Sequence, residues 1–491
     1  MQYGFVIDHD RCIGCHACTV ACKAENDVPV GNFRTWVKYT EVGTFPEVRR
    51  HFAVLRCNHC THAPCVTICP VNALKKRRDG IVDVDRDACI GCRACMQACP
   101  YDALYLNDDL GAVEKCHFCA HRVEVGLEPA CAVVCPEHAI IAGDLDDPGS
   151  KVSLLVANNM LKVRRPEQGT RPNVHYKGAS EIALEPGRAA RPDMYLWSDR
   201  PPHKPEAWPE GLETAPAART VLDAGHRVEW GWPVAAYLVT KGIAGGAAML
   251  AVIAPELMGL DRWVSRYLPE LLGLLFVLVT TYLLIEDLAR PKLFFRLLTR
   301  PNWNSWLVRG GVVLGAFGAM MVLLVALRIA GMNALADLLR FAGGALGAGV
   351  AGYTAFLFAQ CKGRDLWESK LLLPHLLIQA LMCGSACLLP FAASSAGLKT
   401  IFILSALAHG TLSLMEMLRP HMTDNATQAA AFLWKIRVGP LLAYRDGIII
   451  GVGVSLVLVF VAPWVAWIPA LAGLYLYEHA FIRAGQLPPL S

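Results

Sequence analysis

At 491 residues, with 54% hydrophobic side chains and a mean hydropathy of +0.36, the chain exceeds one ordinary domain and is too apolar to be bathed wholly in water. Its formal charge of +4 is small for this size, and no basic tract interleaved with aromatic residues suggests nucleic acid. The opening MQYGFVIDHDRC has no basic stretch leading into an apolar core, so no secretory signal is expected and disulfides have little support.

Composition changes near residue 228. Before it the chain is charged and rich in Cys and Pro; from Trp230 onward it is a series of apolar runs parted by short charged loops. Two halves in two solvents are implied.

Sixteen of the nineteen cysteines precede residue 136 and fall into four groups of four. They are Cys12, Cys15, Cys18 and Cys22; Cys57, Cys60, Cys65 and Cys69; Cys89, Cys92, Cys95 and Cys99; and Cys116, Cys119, Cys131 and Cys135. Groups one and three read C-x2-C-x2-C-x3-C, the spacing with which ferredoxins hold [4Fe–4S] clusters; group two widens one gap and group four widens another, without loss of a ligand. Gly14 and Gly91 lie in the tight ligand loops, where a residue without Cβ takes positive φ and turns amide groups toward sulfur. Pro70, Pro100 and Pro136 follow a fourth cysteine, and Lys23 stands there in group one. Four-cysteine zinc is the competing assignment, but zinc sites use two C-x2-C pairs rather than triplets with a trailing Cys.

The order of these groups resembles the iron–sulfur subunit of the dimethyl sulfoxide reductase, polysulfide reductase and formate dehydrogenase group, over residues 1 to about 165. The resemblance implies an α+β, double-ferredoxin-like domain over residues 1–165 that holds four [4Fe–4S] clusters. It also implies crossed ligand sets: Cys12, Cys15 and Cys18 with Cys135; Cys116, Cys119 and Cys131 with Cys22; Cys57, Cys60 and Cys65 with Cys99; Cys89, Cys92 and Cys95 with Cys69. Electron tunnelling falls steeply with distance, so such clusters in a row would act as a wire.

Residues 166–228 carry Pro166, Pro172, Pro186, Pro192, Pro201, Pro202, Pro205, Pro209 and Pro216, a density that favours extended chain over helix. A passive tether and a strap wrapping the cluster domain both fit, with Trp197 and Trp208 favouring the strap.

Apolar segments long enough to span a bilayer are predicted at 233–255, 269–286, 310–330, 338–360, 371–393, 398–418, 447–462 and 464–482, the last two a hairpin broken at Pro463 and Pro469. With eight spans, the loops on the N-terminal side hold Arg290, Lys292, Arg296, Arg300, Arg309, Lys362, Arg364, Lys370, Arg419, Lys435, Arg437 and Arg445. The opposite loops hold Arg262, Arg266, Arg328, Arg340 and Lys399. The positive-inside rule then puts the cysteine half in the cytoplasm of a bacterial inner membrane protein; arginines that dock a protein surface are the competing reading.

The tracts YLVTKGIAGG, LIEDLARPKLFFRLLTRPNWNSW and YEHAFIRAGQLPPLS resemble NrfD-like membrane subunits, over residues 229–491. That implies an all-α anchor of about eight transmembrane helices, without haem, exchanging electrons with ubiquinone or menaquinone near the clusters. The residues expected at the quinone are Trp230, Tyr237, Lys241, Glu286, Asp287 and His409. Tyr237 and Lys241 share a helix face, and Glu286 and Asp287 at the end of the second span are the expected partners of Lys241. An intramembrane ion pair that only joins helices is the competing reading. Ser405, His409, Ser413 and Glu416 form one stripe, which reads as packing or as a proton path or second quinone group; His375, Gln379, Cys383 and Cys387 line a face of the fifth span, its cysteines read as small packing residues. A bis-histidine haem on His375 and His409 is disfavoured because His375 is expected near a span end and His409 mid-span. Gly344, Ala348 and Gly352 form a seam for close helix packing.

No dinucleotide fingerprint or P-loop is present, so a substrate site is expected on another chain, which the resemblance makes a molybdenum or tungsten bis-pterin subunit. The resulting expectation is an electron-transport, quinone-reacting subunit of a respiratory oxidoreductase complex. The alternative is a redox-coupled proton-translocating module.

Overall fold

The computed structural model describes residues 1–185, 187–190, 218–225, 227–253 and 262–491. The expectations on Pro186, Pro192, Pro201, Pro202, Pro205, Pro209, Pro216, Trp197 and Trp208 lie outside these residues, as does the side chain of Arg262.

In chain order the strands of the first half are β1 (Tyr3–Asp8), β2 (Thr35–Thr44), β3 (Glu47–Arg56), β4 (Leu74–Lys76), β5 (Val82–Val84), β6 (Leu104–Asn107), β7 (Ala112–Lys115), β8 (Ile140–Asp144), β9 (Val174–Lys177) and β10 (Ala218–Leu222). The run YGFVID of β1 does not alternate, and five of its six residues are buried. It is the middle strand of a three-stranded sheet, antiparallel to β8 and parallel to β9, and so is covered on both edges. A second sheet has the order β10-β2-β3, and β4–β5 and β6–β7 are hairpins.

The stretch expected as linker thus supplies two strands to the cluster domain. A sheet begun by β1 is completed by β9, beyond residue 165, and β10 pairs with β2. Edge strands need few apolar residues because backbone hydrogen bonds hold them, which is why no apolar period marks them in the sequence.

Among the described residues eight helices are long and apolar enough to cross a membrane: Trp232–Val252, Arg266–Glu286, Trp306–Ile329, Asn333–Ala359, Leu372–Phe391, Ala396–Leu418, Ala443–Val461 and Pro463–Gln486. The last two turn at Ala462, where the missing amide hydrogen of Pro463 stops the helix, whereas Pro469 sits in the first turn of the next one. The chain is a multi-pass membrane protein. The first span is central, with 89% of its apolar window buried, whereas the second and third bury 28%. Their outward Leu275, Leu278, Val312 and Val322 are the surface that lipid covers.

Backbone contact explains the central position. A Cβ on Gly246 would lie 1.8 Å from the Ala380 carbonyl oxygen of the fifth span, and one on Gly245 would lie 2.4 Å from that of Gly347 on the fourth. The expected seam divides between two neighbours, Gly344 meeting Val252 and Gly352 meeting Leu373. At the far end, Arg328 and Arg340 are not free loop charges: buried Arg328 pairs with the exposed Asp337 at 2.6 Å, and Arg340 closes a buried ion pair with Glu270 at 2.7 Å.

Candidate functional site

Cysteine loops converge in pairs. Cys12, Cys15, Cys18 and Cys135 line one cavity. Cys69, Cys89, Cys92 and Cys95 line another, and Cys22, Cys116, Cys119 and Cys131 a third. Cys57, Cys60 and Cys65 are electrostatic neighbours of Cys99. The structure therefore brings together the four sets named from the sequence.

The backbone is shaped for this. Gly14 and Gly91 both have φ +71°, and a Cβ on Gly91 would lie 2.5 Å from that of Ala289. The residues two further on, His16 and Arg93, share φ 60° and ψ 4° and open short helices at Ala17 and Ala94. A second repeat was not singled out in the sequence: CPVNAL, CPYDAL and CPEHAI follow three of the fourth cysteines. Each takes positive φ at Asn72 (54°), Asp102 (53°) or His138 (46°), which short polar residues tolerate, and turns into β4, β6 or β8.

The cavities suit iron–sulfur clusters. The amides of His59, Gly91 and Ala139 donate to the Sγ atoms of Cys57, Cys89 and Cys135 at 3.5, 3.4 and 3.2 Å, and Asn26 Nδ2 lies 3.8 Å from the sulfurs of Cys22 and Cys119. Burial, aided by neighbouring thiols, pushes Cys18, Cys60 and Cys92 up to about 12, so these groups ionise only when a metal takes the proton's place.

The Cys89–Cys99 loop rests on the membrane half. The indole N–H of Trp230 donates to the Cys92 carbonyl at 3.3 Å, and its ring stacks on Trp367 at 5.7 Å, which stacks on Phe358 at 4.7 Å. Arg93 pairs with Asp287 at 3.0 Å, and burial pushes that carboxyl up to about 6 against the pull of Arg93. Gln486 Oε1 accepts from Gln97 Nε2 and from the amide of Trp230, each at 2.9 Å, while Arg364 donates to Gln97 Oε1 at 2.8 Å. Arg290 donates to the carbonyls of Leu110 and Arg86, and Asn302 to that of Cys69. Several of the basic loop residues are therefore spent on the chain's own cluster domain.

Within the bilayer a polar chain runs through five spans. Lys241, 1% exposed, donates to the Ala351 carbonyl at 2.9 Å and to Thr354 Oγ1 at 2.6 Å, and its ammonium lies 4.9 Å from the centre of the Tyr353 ring. Tyr237 faces the same Thr354. Glu478 of the last span accepts a hydrogen bond from Gln379 and is the carboxylate that faces Lys241, with His375 and Glu416 also around it. His375 Nε2 meets His409 Nδ1 at 2.8 Å, and His375 Nδ1 lies 3.4 Å from Glu416, which accepts from Tyr477 at 3.0 Å.

Comparison with known proteins follows this division. Residues 3–24 match a 4Fe-4S binding domain, residues 48–145 a 4Fe-4S dicluster domain, and residues 220–483 the family described as polysulphide reductase, NrfD. The chain belongs to the NrfD family, with ferredoxin-type 4Fe-4S domains fused ahead of it. Its first half is similar to a tetrathionate reductase subunit of Salmonella typhimurium, 45% identical over 204 residues that make up 40% of this chain and 80% of the relative. The arsenate respiratory reductase iron–sulfur subunit of a Shewanella species is 37% identical, covering 36% and 96%. The thiosulfate reductase electron transfer subunit of Salmonella typhi is 46% identical, covering 30% and 78%.

In the NrfD domain the six residues expected at one quinone site are dispersed. Trp230 and Asp287 sit at the junction with the cysteine loop, Tyr237 and Lys241 lie deeper in the first span, and His409 belongs to the histidine pair. Glu286 is exposed, and Asp287 is bound to Arg93, so neither is the partner of Lys241; Glu478 is. Glu478 was readable as a carboxylate inside the last span, in the quoted tract YEHAF. The depth argument against pairing His375 with His409 also fails. The loop from Asp365 to Glu368 that leads into the fifth span is anchored by the fully buried Trp367, and His375 Nε2 lies 2.8 Å from His409 Nδ1, so the two rings stand at one level.

Proposed function

We propose that the sixteen N-terminal cysteines hold four [4Fe–4S] clusters in the four sets given above, and that the chain relays electrons between a separate catalytic subunit and the membrane quinone pool. Each cluster, when bound, takes up and releases one electron at a time. By likeness to relatives named as reductase subunits, the catalytic partner is a molybdenum or tungsten bis-pterin protein. The reading rests above all on one contact: Trp230 bonds the loop of Cys92 and stacks toward Trp367 and Phe358, so the cysteine half touches the bilayer half through a buried aromatic group.

The quinone is placed at this cluster-facing end of the first span, with Trp230, Tyr237 and Lys241 around it. Quinone reduction consumes protons as well as electrons, and Lys241 and Glu478 can carry protons there. Lys241 stands nine residues inside the span, about 14 Å from its start at the usual helical rise. We place the cysteine half on the cytoplasmic side of a bacterial inner membrane, supported by the excess of basic residues in the loops that meet it. The test is to purify the full chain with its partners, identify the co-purifying catalytic subunit and assay quinone reduction.

A second reading is favoured by the polar chain from Lys241 and Glu478 to His375, His409, Glu416 and Tyr477, which is longer than quinone protonation requires. In it, electron flow is coupled to proton movement. Proton uptake by sealed vesicles during turnover separates the two.

A further inference from the structure

Arg56 ends β3 and leads directly into the second cysteine group, yet its side chain turns away from it. It is fully buried. Nη1 lies 3.1 Å from Cys131 Sγ, and the guanidinium carbon lies 4.5 Å from the centre of the Phe5 ring. Nε and Nη2 have no hydrogen-bond partner, and among the described residues no carboxylate pairs with it.

An isolated guanidinium in such a place costs several kcal/mol, and arginine does not escape by losing its proton. An anion must therefore face it. Arg56 lines the cavity of Cys22, Cys116, Cys119 and Cys131, and Cys18 of the neighbouring cavity is also beside it. A [4Fe–4S] core bound by four thiolates carries net negative charge, and taking an electron adds more.

We propose that Arg56 is the built-in counter-charge of the cluster held by Cys22, Cys116, Cys119 and Cys131, and that it makes this cluster easier to reduce than it would otherwise be. The inference rests on the cluster assignment proposed above and adds a setting of potential. A fixed cation favours the more negative, reduced form, and the N–H donated to Cys131 sulfur acts in the same direction. Arg34 also lines this cavity but is engaged by Glu114 at 3.4 Å and by Tyr105, so it offers less uncompensated charge.

The test is a redox titration followed by electron paramagnetic resonance on the purified full chain, with iron counted first. Far fewer than about sixteen irons in the unaltered chain defeats the cluster assignment itself. With that complement present, Arg56→Gln is expected to move one midpoint to more negative potential and leave the others in place, and Arg56→Lys to move it less. Midpoints unchanged in Arg56→Gln at full iron content overturn the proposal. If Arg56→Gln loses about four irons while Arg56→Lys keeps them, the positive charge decides occupancy and the proposal stands; equal loss from both overturns it.

Discussion

Trp230 gives its indole N–H to the carbonyl oxygen of Cys92, 3.3 Å away. The residue that opens the membrane half is thereby bonded to a cysteine loop of the first half. Trp230→Phe keeps the stack on Trp367 and loses the bond, at a stability loss of about 1 kcal/mol. Trp230→Leu loses both, at about 3 kcal/mol. Both variants are expected to retain their iron, and reoxidation of the reduced chain by added quinone, followed in a stopped-flow instrument as recovery of the visible cluster absorbance, should slow more in the Leu variant than in the Phe variant.

Asp287 provides a pH signature at the same junction. Burial raises its carboxyl from 3.8 to about 6, so the stability it contributes is complete below about pH 4 and is lost as pH rises through 6. The shift amounts to up to about 3 kcal/mol. Asp287→Asn removes the titration. The difference in unfolding midpoint between the variant and the parent, measured from pH 4.5 to 7.5 at intact iron content, should therefore change with pH in the variant's favour as pH rises; a constant difference would contradict the assignment.

Lys241 and Glu478 are expected to be coupled. Removing either alone leaves the other charged and poorly matched in the bilayer, at about 3 kcal/mol or more, whereas removing both returns part of that loss. Lys241→Met, Glu478→Gln and the double variant form a cycle read by thermal unfolding in detergent. In the electron-relay reading, each single variant also depresses quinone-linked turnover while leaving dithionite reduction of the iron centres unchanged.

The four cysteine groups and the eight spans were readable because each depends on local chemistry: ligand spacing in one case, an unbroken apolar length in the other, whereas the crossing of the groups was implied only by the family resemblance. What failed depended on how spans are set against one another. His375 stands three residues from the start of the fifth span, which suggests a surface position until its contact with His409 is known. Asp287 read as a partner for Lys241 because a lysine within a span needs one and Asp287 ends the neighbouring second span, but the guanidinium of Arg93 arrives from the other half of the chain. β9 and β10 were missed because edge strands are fixed by hydrogen bonds that leave little apolar pattern.

The close crossing of the first and fifth spans gives the sharpest structural prediction. Gly246 and Gly384 face one another so closely that a Cβ on Gly246 would fall 1.8 Å from the Ala380 oxygen, and one on Gly384 would fall 2.4 Å from the Gly246 carbonyl carbon. In lipid, where apolar side chains gain little by leaving their surroundings, such backbone contact is a main source of helix association. Gly246→Leu must therefore part the two spans, carrying Gly242 of the first away from Cys383 of the fifth. Overpacking of this kind costs about 3 kcal/mol or more. Gly311, whose Cβ would meet nothing within 4 Å, is the matched control: Gly311→Leu should leave the unfolding midpoint near that of the parent. Thermal unfolding of the two variants in detergent, with iron content as the check on the cysteine half, distinguishes them, and equal midpoints would show that the two spans do not meet at Gly246.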